Sequence, residues 1–564
     1  MPNPAYATPE VGGGLLISER FPSTEAFRGG HGGPPHQNAL VLASGAGLSA
    51  TAVKRIRPIA MPILIVLEIS VFSSRATTWR SFMVSPVTQE TSPKASNLAP
   101  GSIDPRAVLE RLPLADAVLK FFSHILSPSK LDSIFEAHRG RSFEQVLSFP
   151  TFVQLIADAL IEHKGSGRQS FKRAREKGIL ETTDAAVYSK LRRLPVPLSL
   201  GFLEEPSSCL RQLYPTAAKA WTPPACLEGM TPVVLDGKTA KKVAKRLKAT
   251  RHAVGKISGG KLLVATLPQS GLVLTMAADL DGETNEAKLV PDLLPRVKPL
   301  VPSNRLWIAD RQFGDPVQIG RFLEQDGDHM LVRWDGRTTF HADPSRPART
   351  TRDAKGRTVI EEWGWLGAES NKRRRYLRRI TLIRPGEERV ILMTDLLDEE
   401  AYPATDLLEV YLARWQIERV FQQITEVFNL QRLIGSTAEA TIFQAAFCMV
   451  LYNMIQVVRA YIAAGREEIT LTEEVSSEQI FYDVQRQLIA LSEVVPPAEL
   501  AAIEEPPLSL PELQEWLSDR LGSLWSDRWK KAVNTKPRKP KPKQGSCFGA
   551  HNSVHRLLNL ARAG

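Results

Sequence analysis

Cysteine is scarce. The 564-residue chain has four, Cys209, Cys226, Cys448 and Cys547. They are widely spaced and no Cys-x2-Cys pair occurs, which excludes a zinc ribbon and a disulfide framework. A reducing cytoplasm is the plain inference. An uninterrupted apolar run of membrane-spanning length is also missing. Ile59 to Phe72 is short and carries Pro62 and Glu68. The basic stretch before it, from Val53 to Arg57, mimics a signal peptide but lies far from the N-terminus. Ala438 to Ala464 is longer, yet Gln444, Asn453, Gln456 and Arg459 interrupt it, so a buried helix is expected there and no membrane span. Acidic excess is absent too. The net charge is +11 and the pI near 9.4, which suits nucleic acid or an anionic membrane surface as partner. Hydrophobic residues make up 43% and charged residues 24%, an ordinary globular balance.

What is present centres on Tyr411 to Thr425. With no Pro or Gly inside, the spacing predicts one helix from about Ala404 to Leu430. At about 100° per residue, Leu407, Tyr411, Arg414, Glu418, Gln422 and Thr425 share one stripe. Val410, Ile417, Phe421, Ile424 and Phe428 form a second, apolar stripe, which is a core face. Alone, Arg414 and Glu418 would read as a surface i,i+4 pair.

Two further carboxylates follow apolar runs. Val233-Val234-Leu235 leads into Asp236-Gly237-Lys238, and Leu306-Trp307-Ile308-Ala309 leads into Asp310-Arg311. Such runs read as buried strands, each expected to end at its Asp. An Asp there is commonly a turn-former. Two of them, together with Glu418, suit a pair of hard divalent cations, which prefer oxygen ligands. Such a pair serves in-line displacement at phosphorus.

These residues resemble the DDE transposases of bacterial insertion sequences, in the insertion-sequence family four branch with a Tyr-x2-Arg-x3-Glu-x6-Lys signature. Tyr411, Arg414 and Glu418 match by type and spacing, Asp236-Gly237 matches the first Asp motif, and Asp310-Arg311 the second. The resemblance covers roughly residues 130 to 465 and His551 to Leu558. The signature Lys falls on Thr425, which brings no charge to a phosphate. The resemblance implies an α/β fold: an RNase H-like catalytic core, a β-rich insertion before the last acidic helix, and an N-terminal helical domain. It implies catalysis by Asp236, Asp310 and Glu418 with two Mg²⁺, for which Mn²⁺ can substitute. Transposon ends would be cleaved and joined to target DNA by a homodimer in a synaptic complex, in a nucleoid-associated bacterial protein. Tyr411, Arg414 and Trp415 would contact the DNA end, with Lys238 and Arg311 beside them. Two rival readings are a catalytically impaired DNA-binding remnant and a metal-dependent nuclease without strand transfer.

Along the chain, residues 1–82 are rich in Gly, Pro and Ser and lack periodicity, as in a disordered segment or an extension upstream of a true start at Met83. Residues 83–225 read as a helical DNA-binding domain. Pro150 is expected to split a helical run from Ser142 to Ile161. The basic stretch Arg168 to Lys177, which holds Arg173, and a capped helix with Lys190 and Arg193 are candidate phosphate contacts. Residues 226–320 hold the first part of the core, with a hairpin across Pro268 to Gly271. Residues 321–400 read as the β-rich insertion, with a basic edge at Arg373 to Arg379. Residues 401–465 return to the core. Residues 466–564 read as a helical region followed by a basic Pro-rich tail, Lys536 to Lys543.

Overall fold

The computed structural model describes residues 104–531 and 552–563, apart from breaks at 143, 145, 242, 244, 429, 431, 497–498, 501–502 and 504–507. The expectations for residues 1–82, the Lys536 to Lys543 tail, Cys547 and His551 lie outside the described residues.

Proline sets the starts of the first helices. Its ring fixes φ, and its missing N–H costs nothing in a first turn. It opens α1 (Pro105–Arg111), α2 (Pro113–Ile125) and α3 (Pro128–His138). Pro150 does the same for α4 (Phe149–Ile161), capped by Ser148, whose hydroxyl accepts from Thr151 N at 3.2 Å. The expected split at Pro150 is therefore corrected, because the proline begins a helix rather than breaking one. Helices α5 (Gly167–Glu176), α6 (Asp184–Arg192, capped by Thr183) and α7 (Val196–Leu213) complete the N-terminal part.

The sheet begins with β1 (Thr231–Lys241), β2 (Ile257–Leu267) and β3 (Leu272–Asp279). After helix α8 (Val290–Val297) come β4 (Arg305–Ala309), α9 (Pro316–Phe322) and β5 (His329–Arg333). β3, β2 and β1 pair antiparallel in that order, while β1 pairs parallel with β4, and β4 with β5. Five more strands extend the sheet: β6 (Phe340–Ala342), β7 (Arg349–Arg352), β8 (Thr358–Leu366), β9 (Arg375–Leu382) and β10 (Val390–Thr394). β10 joins antiparallel to β5 and carries β9 and β8 with it. The fold is mixed α/β around a central mixed sheet. β5 lies within residues 321–400, yet it pairs directly with β4.

The helix expected over Ala404 to Leu430 is two helices, α10 (Ala404–Ala413) and α11 (Trp415–Glu426). Near the break the bonding tightens to i→i+3, with Arg414 N on Tyr411 O and Ile417 N on Arg414 O, both at 3.1 Å. Helix α12 (Ala438–Ala464) is long and apolar enough to cross a membrane, but it is buried throughout. Phe443 lies 5.1 Å from the Phe202 ring of α7 and 6.1 Å from the Phe149 ring of α4. Asn453, one of the polar interruptions, exchanges two hydrogen bonds with the Val273 backbone of β3 at 2.8 and 2.9 Å. That side chain satisfies main-chain groups of β3 as a strand neighbour would. Helices α13 (Ser477–Val494) and α14 (Leu510–Gly522) follow, and the chain ends on β11 (Asn552–Ser553) and α15 (Val554–Ala563).

The sheet separates two cores. Val234, Leu306 and Ile308 point to the face shared with α4, α7, α10, α11 and α12. Val233, Leu235, Trp307 and Ala309 point to the face covered by α8 and α9.

Candidate active site

Strand parity decides where the first two acids point. Asp236 shares the face of Val234, and Asp310 follows β4 on the parity of Ile308. Val234 pairs with Ile308 in the parallel register, so the two acids lie level, two residues beyond that pair. Crevices at the carboxyl ends of parallel strands are where ligands enter open α/β sheets. Asp236 does not end its strand as expected. Its pairing with β2 continues, Asp236 opposite Val264, and only the parallel pairing with β4 stops short of it.

The α10–α11 break sits over this crevice. Tyr411 donates to Asp310 Oδ1 at 3.4 Å. Arg414 Nη1 lies 3.4 Å from Asp236 Oδ2, and its Nη2 lies 3.5 Å from Glu418 Oε1. Tyr411 and Arg414 are buried, whereas the Glu418 side chain is 45% exposed. Glu418 therefore stands on the open side, joined to Asp236 through the guanidinium. Lys238, on the same parity as Asp236, holds its ammonium over the Phe421 ring of α11 at 5.3 Å. Trp415 is 51% exposed, with the Arg414 guanidinium 5.4 Å from its ring. With half its surface open, Trp415 is not a core residue. Arg311, also exposed, lies 3.8 Å from Glu388.

Burial pushes the Asp236 carboxyl up to about 6; Arg414 and the Gly237 amide pull against it, and Glu286 and Asp310 add to the rise. Burial likewise pushes the Tyr411 phenol up to about 12, so it stays a neutral donor at physiological pH. For Arg414 burial works against the charge, but Tyr411, Asp236, Asp310 and Glu418 outweigh it and raise its pKa.

Glu286 was not singled out by the sequence. It pairs with Lys261 at 2.7 Å, accepts from Gln312 Nε2, and lies where a Cβ on Gly237 would be, 1.8 Å from its carboxyl carbon. The signal was Gly237 itself, whose missing side chain admits a carboxylate beside Asp236.

The basic candidates of the N-terminal helices are not brought to these acids. Lys190 turns inward, donating to Leu147 O and to Glu144 Oε1 at 3.2 Å, with its ammonium 5.3 Å from the Phe135 ring. It is thus occupied internally. Arg173 is half-buried, and Arg193 is exposed, donating to Ser189 O at 3.2 Å. The expected basic edge of β9 is likewise split. Arg378 is buried on Glu361 and on Tyr402 O, and Arg379 pairs with Glu362. Arg373 and Arg375 remain exposed.

Residues 228–454 match the family described as the transposase DDE domain. The match spans β1 through most of α12 and includes Asp236, Asp310 and Glu418. A transposase DDE domain over these residues makes the chain an enzyme that acts on DNA. No curated protein matches it in sequence. Among solved structures it is similar to a piggyBac transposase in a synaptic complex with hairpin DNA, at 12% identity and a TM-score of 0.35, over 76% of this chain and 88% of that one.

Proposed function

We propose that this transposase cleaves DNA at the ends of its element and joins them to target DNA, with Asp236, Asp310 and Glu418 as the catalytic acids. The observation that carries the reading is the level placement of Asp236 and Asp310 beneath the helix break that supplies Arg414 and Glu418. The strand order β3-β2-β1-β4-β5, antiparallel and then parallel, supports an RNase H-like core. The Tyr411-x2-Arg414-x3-Glu418 spacing supports the insertion-sequence branch, and with it a bacterial, nucleoid-associated protein working as a homodimer.

The site fits divalent cations, Mg²⁺ or Mn²⁺. Its donors are all oxygen, and burial, the main cause of the raised pKa of Asp236, disfavours its charge unless a cation joins it. Asp236, Asp310 and Glu418 would hold the ions, which when bound supply charge stabilisation for displacement at phosphorus. Tyr411 orients Asp310, and Arg414 fixes Asp236 while keeping a charge-assisted donor at the crevice mouth. Trp415 offers an exposed ring for an unpaired base.

A second reading has an observation of its own. Thr425 donates its hydroxyl back to Phe421 O at 2.6 Å, so it offers neither charge nor a free donor where the signature has Lys. That favours a protein that binds DNA ends and is impaired in chemistry. The test uses full-length protein, Mg²⁺ and labelled duplexes carrying the inverted repeats that flank its gene. Cleavage and joining by wild type, lost in Asp236→Asn, Asp310→Asn and Glu418→Gln with DNA binding kept, is the expected result. Binding without cleavage by wild type supports the second reading, and cleavage without joining makes it a nuclease.

A further inference from the structure

We propose that Asp158, Glu162 and His163 form a metal site separate from the candidate active site, for a divalent transition cation such as Zn²⁺. One ligand atom from each of the three lies within 4.8 Å of the others, the one such group among the described residues. Asp158 is 1% exposed, and neither of its oxygens accepts a hydrogen bond. A buried carboxylate in that condition is costly, and buried charges are ordinarily paired or metal-bound. His163 Nε2 is also buried and makes no hydrogen bond, 3.5 Å from Asp158 Oδ2.

The backbone explains the gathering. Helix α4 ends with Glu162 N and His163 N both donating to Asp158 O, at 2.9 and 3.2 Å. Lys164 at φ +49° and Gly165 at φ +82° then turn the chain, and Gly165 N bonds Ala159 O at 2.7 Å. Three residues at i, i+4 and i+5 thus share one turn. That turn is held from outside: Arg432 donates to Lys164 O at 3.3 Å, and Gln485 of α13 donates to Ile161 O at 2.9 Å. An imidazole nitrogen with carboxylate oxygens is a borderline donor set that suits Zn²⁺ better than Mg²⁺. A plain His163–Asp158 ion pair would leave Asp158 Oδ1 unaddressed. The bound ion would clamp the α4 terminus where it meets Arg432, in the connection from α11 to α12.

The test compares full-length wild type with Asp158→Asn and His163→Gln. Each protein is stripped by chelator and titrated with Zn²⁺ in excess Mg²⁺, which occupies hard-oxygen sites. Wild type is expected to bind one more zinc ion per chain than either variant, and to gain in melting temperature where the variants do not. Co²⁺ should give wild type an absorption band that His163→Gln alters. Should Asp158→Asn fail to fold, His163→Gln, at a side chain 14% exposed against 1% for Asp158, carries the test alone. Equal zinc stoichiometry and equal thermal shifts in wild type and His163→Gln would overturn the site. So would an Asp158→Asn protein more stable than zinc-loaded wild type, since the carboxylate would then be merely unpaired.

Discussion

Arg414 Nη1 stands 3.4 Å from Asp236 Oδ2, a contact between a helix break and a strand 178 residues earlier. Both groups are largely buried, and removing the cation leaves a carboxylate without its counter-charge. Arg414→Gln is expected to cost about 3 kcal/mol of stability at neutral pH. Chemical denaturation of both proteins measures it, and an unchanged midpoint would mean the contact is incidental.

Asp236 sets a pH dependence. Its pKa is raised from 3.8 to about 6. A carboxyl raised in the folded state favours folding below its ordinary pKa, and that contribution is lost as pH rises through 6. In chelator, wild type should therefore lose up to about 3 kcal/mol between pH 4 and pH 7 from this group. Asp236→Asn should not show that component. Added Mg²⁺ should restore stability to wild type at pH 8 and much less at pH 5. Parallel melting curves for the two proteins across this range would refute the assignment.

Glu473 behaves in the opposite sense. Burial resists its ionisation, but Arg459, Lys531 and Arg419 pull its pKa down to about 2. Stability from this group is present above about 4.5 and lost as pH falls through 2. Glu473→Gln is expected to cost about 3 kcal/mol at pH 7 and almost nothing at pH 2. Arg419 pairs with Glu473 at 3.0 Å.

Trp415→Ala separates binding from packing. An exposed ring removed from α11 should change stability by about 0.5 kcal/mol or less. Affinity for DNA ends with unpaired bases should fall by about 1–3 kcal/mol. Equal loss on fully paired duplex would argue against stacking.

Thr425→Lys is expected to tighten end binding and steepen the slope of log K against log salt by about 0.9. The hydroxyl lost is bonded only within its own helix, to Phe421 O. Affinity titrations at several salt concentrations decide this. An unchanged slope would mean that this end of α11 does not face DNA.

The nearness of Asp236, Asp310 and Glu418 was legible because the two Asp residues each follow an apolar run that reads as a strand, Glu418 sits on a periodic helix stripe, and their order matched a known signature. The hairpin, the β-rich character of residues 321–400 and the burial of α12 were legible for the same reason. The break at Arg414 was not, since nothing in Tyr411 to Glu418 disfavours a continuous helix. Its tightened bonding lies where the two helices pass over Asp236 and Asp310. Lys190 and Arg378 misled because charge was taken as a sign of solvent. Glu144 and Glu361, distant in sequence, supply the partners that let those cations turn inward. Glu286 was missed because its carboxylate reaches Asp236 only through the gap at Gly237.

β11 pairs in parallel with the first residues of β2, Asn552 beside Ile257 and Ser553 beside Ser258. The Ser258 hydroxyl reaches Asn552 O across 294 residues of chain. β11 is the neighbour that covers this margin of β2. A variant lacking residues 552–563 would keep the acids of the candidate site and leave that strand margin unpaired, the kind of surface on which copies aggregate.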